Sequence, residues 1–280
     1  MIGPALYQSL RDIKLTTVRR AISSGCYRRS ALQTFGWLAF DLGLYLGALR
    51  GVFASESAWA KLAFGLGAGC AVAFMFVWAH DAAHGALFRR EWTAELLGTA
   101  LMLPSMNMYR LWSHGHNRVH HGFTSYTPVF ATTISVVAWR FGGGLIGVAA
   151  GVVVPFIVFN YFIALFVFLH HTHPEVPFFD NRAEWSNTIG QVYCSIVVRC
   201  SRLSELLIHN ILIHVPHHVD ARIPFYRLKR AYADLKAEYG GYIHEYRFRW
   251  STVWTIFRRC KLYDFETKTW YTYREALLQA

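Results

Sequence analysis

The chain has 280 residues, 54% of them hydrophobic and only 16% charged, with a formal net charge of +11. A soluble domain carries roughly 25% charged residues; here the apolar residues also gather into long blocks, which excludes an ordinary globular protein in favour of an integral membrane one. The excess of Lys and Arg comes with no basic-aromatic recognition motif, so nucleic acid is not the expected partner; basic residues on a cytoplasmic face meeting anionic lipid account for it.

Residues 1–30 are polar and basic, with Arg11, Lys14, Arg19, Arg20, Arg28 and Arg29. They are too charged to enter lipid and lack the apolar core of a cleavable signal peptide. By the positive-inside rule they are expected in the cytoplasm. Residues 33–54 form the first apolar block. Arg50 can snorkel from near its end, whereas Asp41 is costly in lipid and is expected to face protein. Ser55 to Lys61 allows only a tight hairpin before the second block, residues 62–79. Each block is near the roughly 20 residues that cross a bilayer, so the chain should return to the cytoplasm at His80. Residues 94–108, interrupted by Pro104, are too short to span and are expected to lie on or dip into the membrane.

Residues 128–169 are the third apolar region. A single tilted helix would put His121 and His171 on opposite sides, so a compressed hairpin is expected, roughly 128–148 and 150–169. From Thr172 the chain is mostly polar. Residues 186–213 read as helical and interfacial, and the tail 219–280, with Arg258, Arg259 and Lys261, is expected to cap the cytoplasmic face. The expected fold is all-α, a single polytopic domain over residues 1–280. It comprises a cytoplasmic segment 1–30, a transmembrane region 31–171 of about four helices, and a cytoplasmic helical cap 172–280. The cysteines Cys26, Cys70, Cys194, Cys200 and Cys260 form no C-x-x-C pair, so a reducing face is expected.

Of 14 histidines, only His244 stands outside four groups. In H-D-A-A-H, His80 and His84 lie at i and i+4, on one helix face. Asp81 cannot share that face; it reads equally as a partner for an imidazole of another cluster or as a surface residue. In H-N-R-V-H-H, His116 and His120 share a face while His121 points about 100° away, which suits two metals side by side. His114 reads as a supporting or solvent-facing residue. In H-H-T-H, the residues His170, His171 and His173 cannot all reach one centre, and His171 is favoured. In H-V-P-H-H, His214, His217 and His218 share a face. His209 lies off that face and reads equally as an ordinary polar contact or as a ligand or its support; His244 reads as a surface residue.

Imidazoles crowded without metal would either charge and repel or be buried unsatisfied. All-nitrogen shells suit Fe, Cu, Ni or Zn, and eight or nine candidate ligands exceed one coordination sphere, so two metals are expected. Beside a bilayer the natural substrate is a lipid chain. Attack on an unactivated C–H bond needs an oxidant that no side chain supplies, which makes iron with O₂ the economical choice.

At these residues the chain resembles the membrane fatty acid desaturase family, whose three histidine boxes match H-D-A-A-H, H-N-R-V-H-H and H-V-P-H-H in order. The resemblance spans about residues 33 to 270. The stretches F-L-H-H-T-H-P-E-V-P-F (168–178) and H-V-P-H-H-V-D-A-R-I-P-F-Y-R-L (214–228) look most like the Δ12 (omega-6) acyl-lipid desaturases. The resemblance implies a non-haem di-iron centre held by His80, His84, His116, His120, His121, His171, His214, His217 and His218. It further implies O₂ as co-substrate, an external ferredoxin or cytochrome b5-type electron donor, a membrane lipid or acyl-carrier substrate, and a cis double bond as product. Lipid hydroxylases, acetylenases and carotenoid ketolases share the boxes. The stretch between His121 and His170 is shorter than this subgroup usually has. A b-haem carrier or metal transporter fits less well, because the histidines sit at span ends and not within spans.

Overall fold

A computed structural model describes residues 4–107, 109–110, 113, 127–181 and 183–278. The chain is mostly helical. In order it forms α1 (Pro4–Arg11), α2 (Leu15–Arg20), α3 (Ala31–Ala54), α4 (Ala58–Ala83), α5 (Glu91–Met102), α6 (Thr127–Gly142) and α7 (Leu145–His171). There follow β1 (Ile196–Arg199), α8 (Arg202–Leu207), α9 (His214–Val219), α10 (Leu228–Tyr239), β2 (His244–Arg247), α11 (Trp250–Arg259), β3 (Leu262–Asp264), β4 (Thr269–Tyr271) and α12 (Tyr273–Leu277). These make two compact units, Arg29–Ala164 on its own and Met1–Arg28 with Leu165–Ala280.

In the unit Arg29–Ala164, α3 and α4 each begin at a serine cap. Ser30 accepts from Gln33 N (3.3 Å) and Ser57 from Ala60 N (3.5 Å), satisfying one orphan donor of each first turn. With 24, 26 and 27 residues, α3, α4 and α7 are long and apolar enough to cross a membrane; α6 has 16 residues. Asp41 is buried, as its cost in lipid requires.

The hairpin in the third apolar region turns earlier than expected, at Gly143 and Gly144 (φ 89° and 68°), where two successive left-handed residues suit glycine. Residues 148–150 then lie inside α7, where a π-helical stretch, Ala149–Val153, begins. Pro155 follows close on that stretch and has no backbone N–H to donate; the widened turn just before it accommodates the ring, and the second arm continues to His171.

Close packing comes from α4's Gly65 and Gly69, one turn apart. A Cβ on Gly65 would lie 2.3 Å from the Ala150 carbonyl oxygen, and one on Gly69 2.5 Å from Val158 Cβ. Such small residues let membrane helices bring their backbones together. Lys61 is buried, its Nζ donating to the carbonyls of Val52 (3.0 Å) and Gly142 (2.8 Å) in the last turns of α3 and α6. A cation there satisfies orphan carbonyls and complements both helix dipoles. At the other end of the α3–α4 pair, Arg29 donates to the carbonyls of Gly85 (2.7 Å) and Ala86 (3.2 Å). Trp78 Nε1 donates to Thr34 O (3.2 Å). These bonds tie the start of α3 to the end of α4, where His80 and His84 sit.

The other unit takes in the basic N-terminal segment. Leu10, Val18, Ile22 and Cys26 are buried; Arg19 Nε donates to Val219 O (2.8 Å), the residue after His218, and Ser23 N to Asp234 Oδ2 (2.9 Å). Residues 186–213 do not form an interfacial helix. They hold a π-helical turn (Ile189–Tyr193), then β1 and α8, because the β-branched run Ile196-Val197-Val198 makes a buried strand. β1 pairs in parallel with β2, with Ile196 opposite His244; β3 and β4 form an antiparallel hairpin. These two-stranded sheets are the departure from the all-α expectation among the described residues.

Candidate metal centre

α9 is a short helix that carries the third histidine box. His214 and His218, one turn apart, bring their Nε2 atoms to 2.8 Å of each other. His171, the last residue of α7, joins them, its ring centroid 5.3 Å from that of His214 and 4.9 Å from that of His218. One ring nitrogen from each of the three lies within 4.8 Å of the others.

The far sides of two rings are fixed by oxygens that can only accept. His218 Nδ1–H donates to Gln191 Oε1 (2.6 Å), and His171 Nδ1–H to Cys194 O (3.4 Å). Each bond holds the proton on Nδ1 and leaves the Nε2 lone pair available, the arrangement that outer partners impose on metal-bound imidazoles. Both acceptors come from the π-helical turn Ile189–Tyr193 and its C-terminal neighbour; such turns frequently occur at functional sites.

His214 is kept neutral: burial first, then the neighbouring His170, His218, His217 and His171, push its pKa well below the ordinary value. A ligand imidazole must be neutral. His214 Nδ1 is buried with no hydrogen-bond partner among the described residues. The close Nε2 pair can be an N–H···N bond or two lone pairs gathered on a cation. A nitrogen-only donor set, with His214 buried and His171 and His218 half-buried, fits a transition metal.

The surrounding histidines divide. His170 stacks flat on His214 (3.7 Å, 13°) and supports the ring face. His217 is buried with its ring centroid 5.4 Å from that of His214, outside the three-nitrogen cluster. His173 stacks instead on Tyr246 (5.5 Å, 23°). His209 packs on Phe225 (4.5 Å) with a positive φ of 53°, and Asn210 follows at 56°. These two residues end α8 and redirect the chain into α9.

His244 is not the expected surface residue. Its place opposite Ile196 in the parallel pair buries it against Tyr193, with Glu175 Oε2 at 3.8 Å from its Nδ1.

In the unit Arg29–Ala164, His80 and His84 meet at the end of α4, ring centroids 4.6 Å apart. Gly85, at φ 67°, ends the helix. Asp81 is fully buried and faces its own neighbour, Oδ1 lying 3.2 Å from His80 Nδ1. That burial corrects the surface reading of it from the sequence. His114, His116, His120 and His121 lie outside the described residues. Gln191 and the Cys194 carbonyl were invisible to histidine spacing. The available signal was one amide in the otherwise apolar run I-G-Q-V-Y-C.

The fatty acid desaturase family model matches residues 57–129 and 124–250, more than half of the chain. The sn-1 oleoyl-lipid 12-desaturase of Anabaena variabilis is 22% identical, over 90% of this chain and 91% of its own length. The protein of the same name from Picosynechococcus is 25% identical, over 68% and 73%. A chloroplastic omega-6 fatty acid desaturase of Glycine max is 23% identical, over 81% and 67%. With the family match running from the start of α4 through β2 and taking in every histidine described above, the chain belongs to the fatty acid desaturase family.

Proposed function

We propose that the chain is an O₂-dependent acyl-lipid desaturase of the Δ12 (omega-6) type, acting on a lipid-linked acyl chain. The observation that carries this reading is the cluster of His171, His214 and His218, in which Gln191 and Cys194 hold the Nδ1 protons of His218 and His171 away from the converging nitrogens. The names of the relatives supply the type.

His80, His84, His116, His120, His121, His171, His214, His217 and His218 would hold two iron ions. Bound iron would supply the O₂-dependent removal of hydrogen from unactivated methylenes that no side chain performs. Making one alkene from two methylenes while reducing one O₂ to two waters takes two further electrons and two protons. A ferredoxin or cytochrome b5-type donor provides the electrons. The residues do the rest. Burial keeps His214 neutral, Gln191 and Cys194 hold the tautomers of His218 and His171, and Asp81 orients His80. Apolar helices offer walls for the acyl chain.

In this reading residues 1–280 form one catalytic domain, with segments 1–30, 31–171 and 172–280 as cytoplasmic arm, membrane region and cap. α6 is a fourth crossing. At about 24 Å it is shorter than the roughly 30 Å hydrocarbon core, so it requires local thinning of the bilayer. Both termini and all histidine groups face the cytoplasm, and the turn at Gly143–Gly144 lies outside.

The test is expression in a host rich in monounsaturated lipid, with a matched electron donor, followed by fatty acid profiling. New dienes that vanish in a membrane-inserted His217→Ala variant support the proposal. Hydroxylated or keto products from the unaltered chain would assign it to a neighbouring di-iron activity instead.

A further inference from the structure

Helix α11 carries an exposed aromatic face. Trp250, Trp254 and Phe257, at i, i+4 and i+7, share one side of the helix and are 61%, 59% and 52% exposed. The rings of Trp254 and Phe257 lie nearly parallel (6.0 Å, 21°). Ile256, on another side, is buried and holds the helix to its unit. Leu262 and Phe265 in the following hairpin add further exposed apolar surface. Three large aromatics side by side on a surface mark an interaction site, since soluble surfaces scatter such residues singly.

The flanking charges identify the occupant. Residues 247–261 contain Arg247, Arg249, Arg258, Arg259 and Lys261 and no Asp or Glu. Lys261 Nζ sits 3.8 Å over the Phe257 ring. An aromatic stripe whose own segment carries only cations, with the acids Asp264, Glu266 and Glu275 confined to the following hairpin and α12, matches a lipid headgroup layer: indole rings settle at the level of the headgroups, and Lys and Arg meet anionic phosphates. The chain also carries three helices fit to span a bilayer, so a lipid surface is at hand.

We infer that α11 is an interfacial anchor that seats Trp250, Trp254 and Phe257 among anionic lipid headgroups, with Arg258, Arg259 and Lys261 on their phosphates. This goes beyond the proposed reaction and does not depend on which product forms.

The full chain is reconstituted in nanodiscs containing phosphatidylglycerol brominated near the headgroup end of its acyl chains. Tryptophan emission is compared between the unaltered protein and Trp250→Phe/Trp254→Phe, so that the difference belongs to those two residues. The expected result is loss of that difference signal to the brominated lipid and insensitivity to aqueous iodide. In Arg258→Gln/Arg259→Gln/Lys261→Gln, the preference for brominated phosphatidylglycerol over brominated phosphatidylcholine should disappear. Quenching by iodide and not by lipid overturns the inference, as does protection that develops only when an electron-carrier protein is added. If the tryptophan variant does not purify, amide exchange of residues 250–259 in the unaltered protein decides. Slower exchange in phosphatidylglycerol discs than in phosphatidylcholine discs supports the anchor, and equal rates overturn it.

Discussion

Replacing Gln191 by Leu tests the reasoning behind the metal centre at a residue that would itself touch no metal. Leu keeps most of the bulk and removes the acceptor of the 2.6 Å bond from His218 Nδ1. The bond that fixes the Nδ1 proton of His218 is then gone. The ring is then free to carry its proton on Nε2, the atom 2.8 Å from His214 Nε2. Metal binding must first undo that tautomer. Loss of an outer partner of this kind typically weakens metal affinity about 10–100-fold, or about 1.4–2.8 kcal/mol. The neutral, half-buried character of this pair argues for the lower end. The assay is iron retention by the purified protein against a graded ferrous chelator, with circular dichroism to check the fold. Gln191→Glu keeps an acceptor at the same atom and should retain iron, whereas Gln191→Leu should release it at about a tenth of the chelator concentration. If Gln191→Leu holds iron as the unaltered chain does while His218→Ala loses it, the tautomer argument is wrong.

Other outcomes follow from the same structure. His171→Ala should lose iron and product together, while His173→Ala, whose ring stacks on Tyr246, should keep both; fatty acid profiles and metal analysis check the pair. Gly65→Val sets a Cβ 2.3 Å from a backbone carbonyl and should lower the thermal midpoint by the equivalent of about 1–3 kcal/mol. Gly67→Ala meets nothing within 4 Å and serves as its control. Burial, opposed by Glu175, lowers the His244 pKa to about 4, below its unfolded value of 6.5. The unfolded chain then binds more protons between those values. Stability from this group is full above about pH 6.5, falls as pH drops toward about 4, and changes by at most about 3 kcal/mol. Detergent-solubilised melts across that range should show the step, and His244→Phe should remove it.

Histidine spacing revealed the box-three pair because the i, i+4 rule is local, and α9 is helical over that interval. It also favoured His171 among three neighbours, and the structure brings that residue to His214 and His218. The spans α3 and α4 were legible for a similar reason, since apolar length is itself the constraint in lipid. Position in the third dimension was not legible. His244 lies in a polar stretch, and only its parallel pairing with β1 buries it. Asp81 was placed by helical angle, but its carboxylate reaches its own neighbour as α4 ends. The turn at Gly143–Gly144 comes a few residues before the expected boundary between the two arms, because the two left-handed glycines, and not the midpoint of the apolar run, set where the chain reverses. Gln191 carries no periodic signal, and its role exists only because a π-helical turn aims it at His218.

The buried Lys61 gives the membrane region an order of assembly. An inserting α3–α4 hairpin supplies the ammonium with one carbonyl, that of Val52; the second, from Gly142, arrives only with α6. Until then a partly satisfied cation sits at the tip of the hairpin and holds it at the aqueous edge. The short α6 thus does more than cross: it releases the hairpin to seat fully. A chain interrupted before Gly142 should stay recognisable to quality control by that one exposed charge.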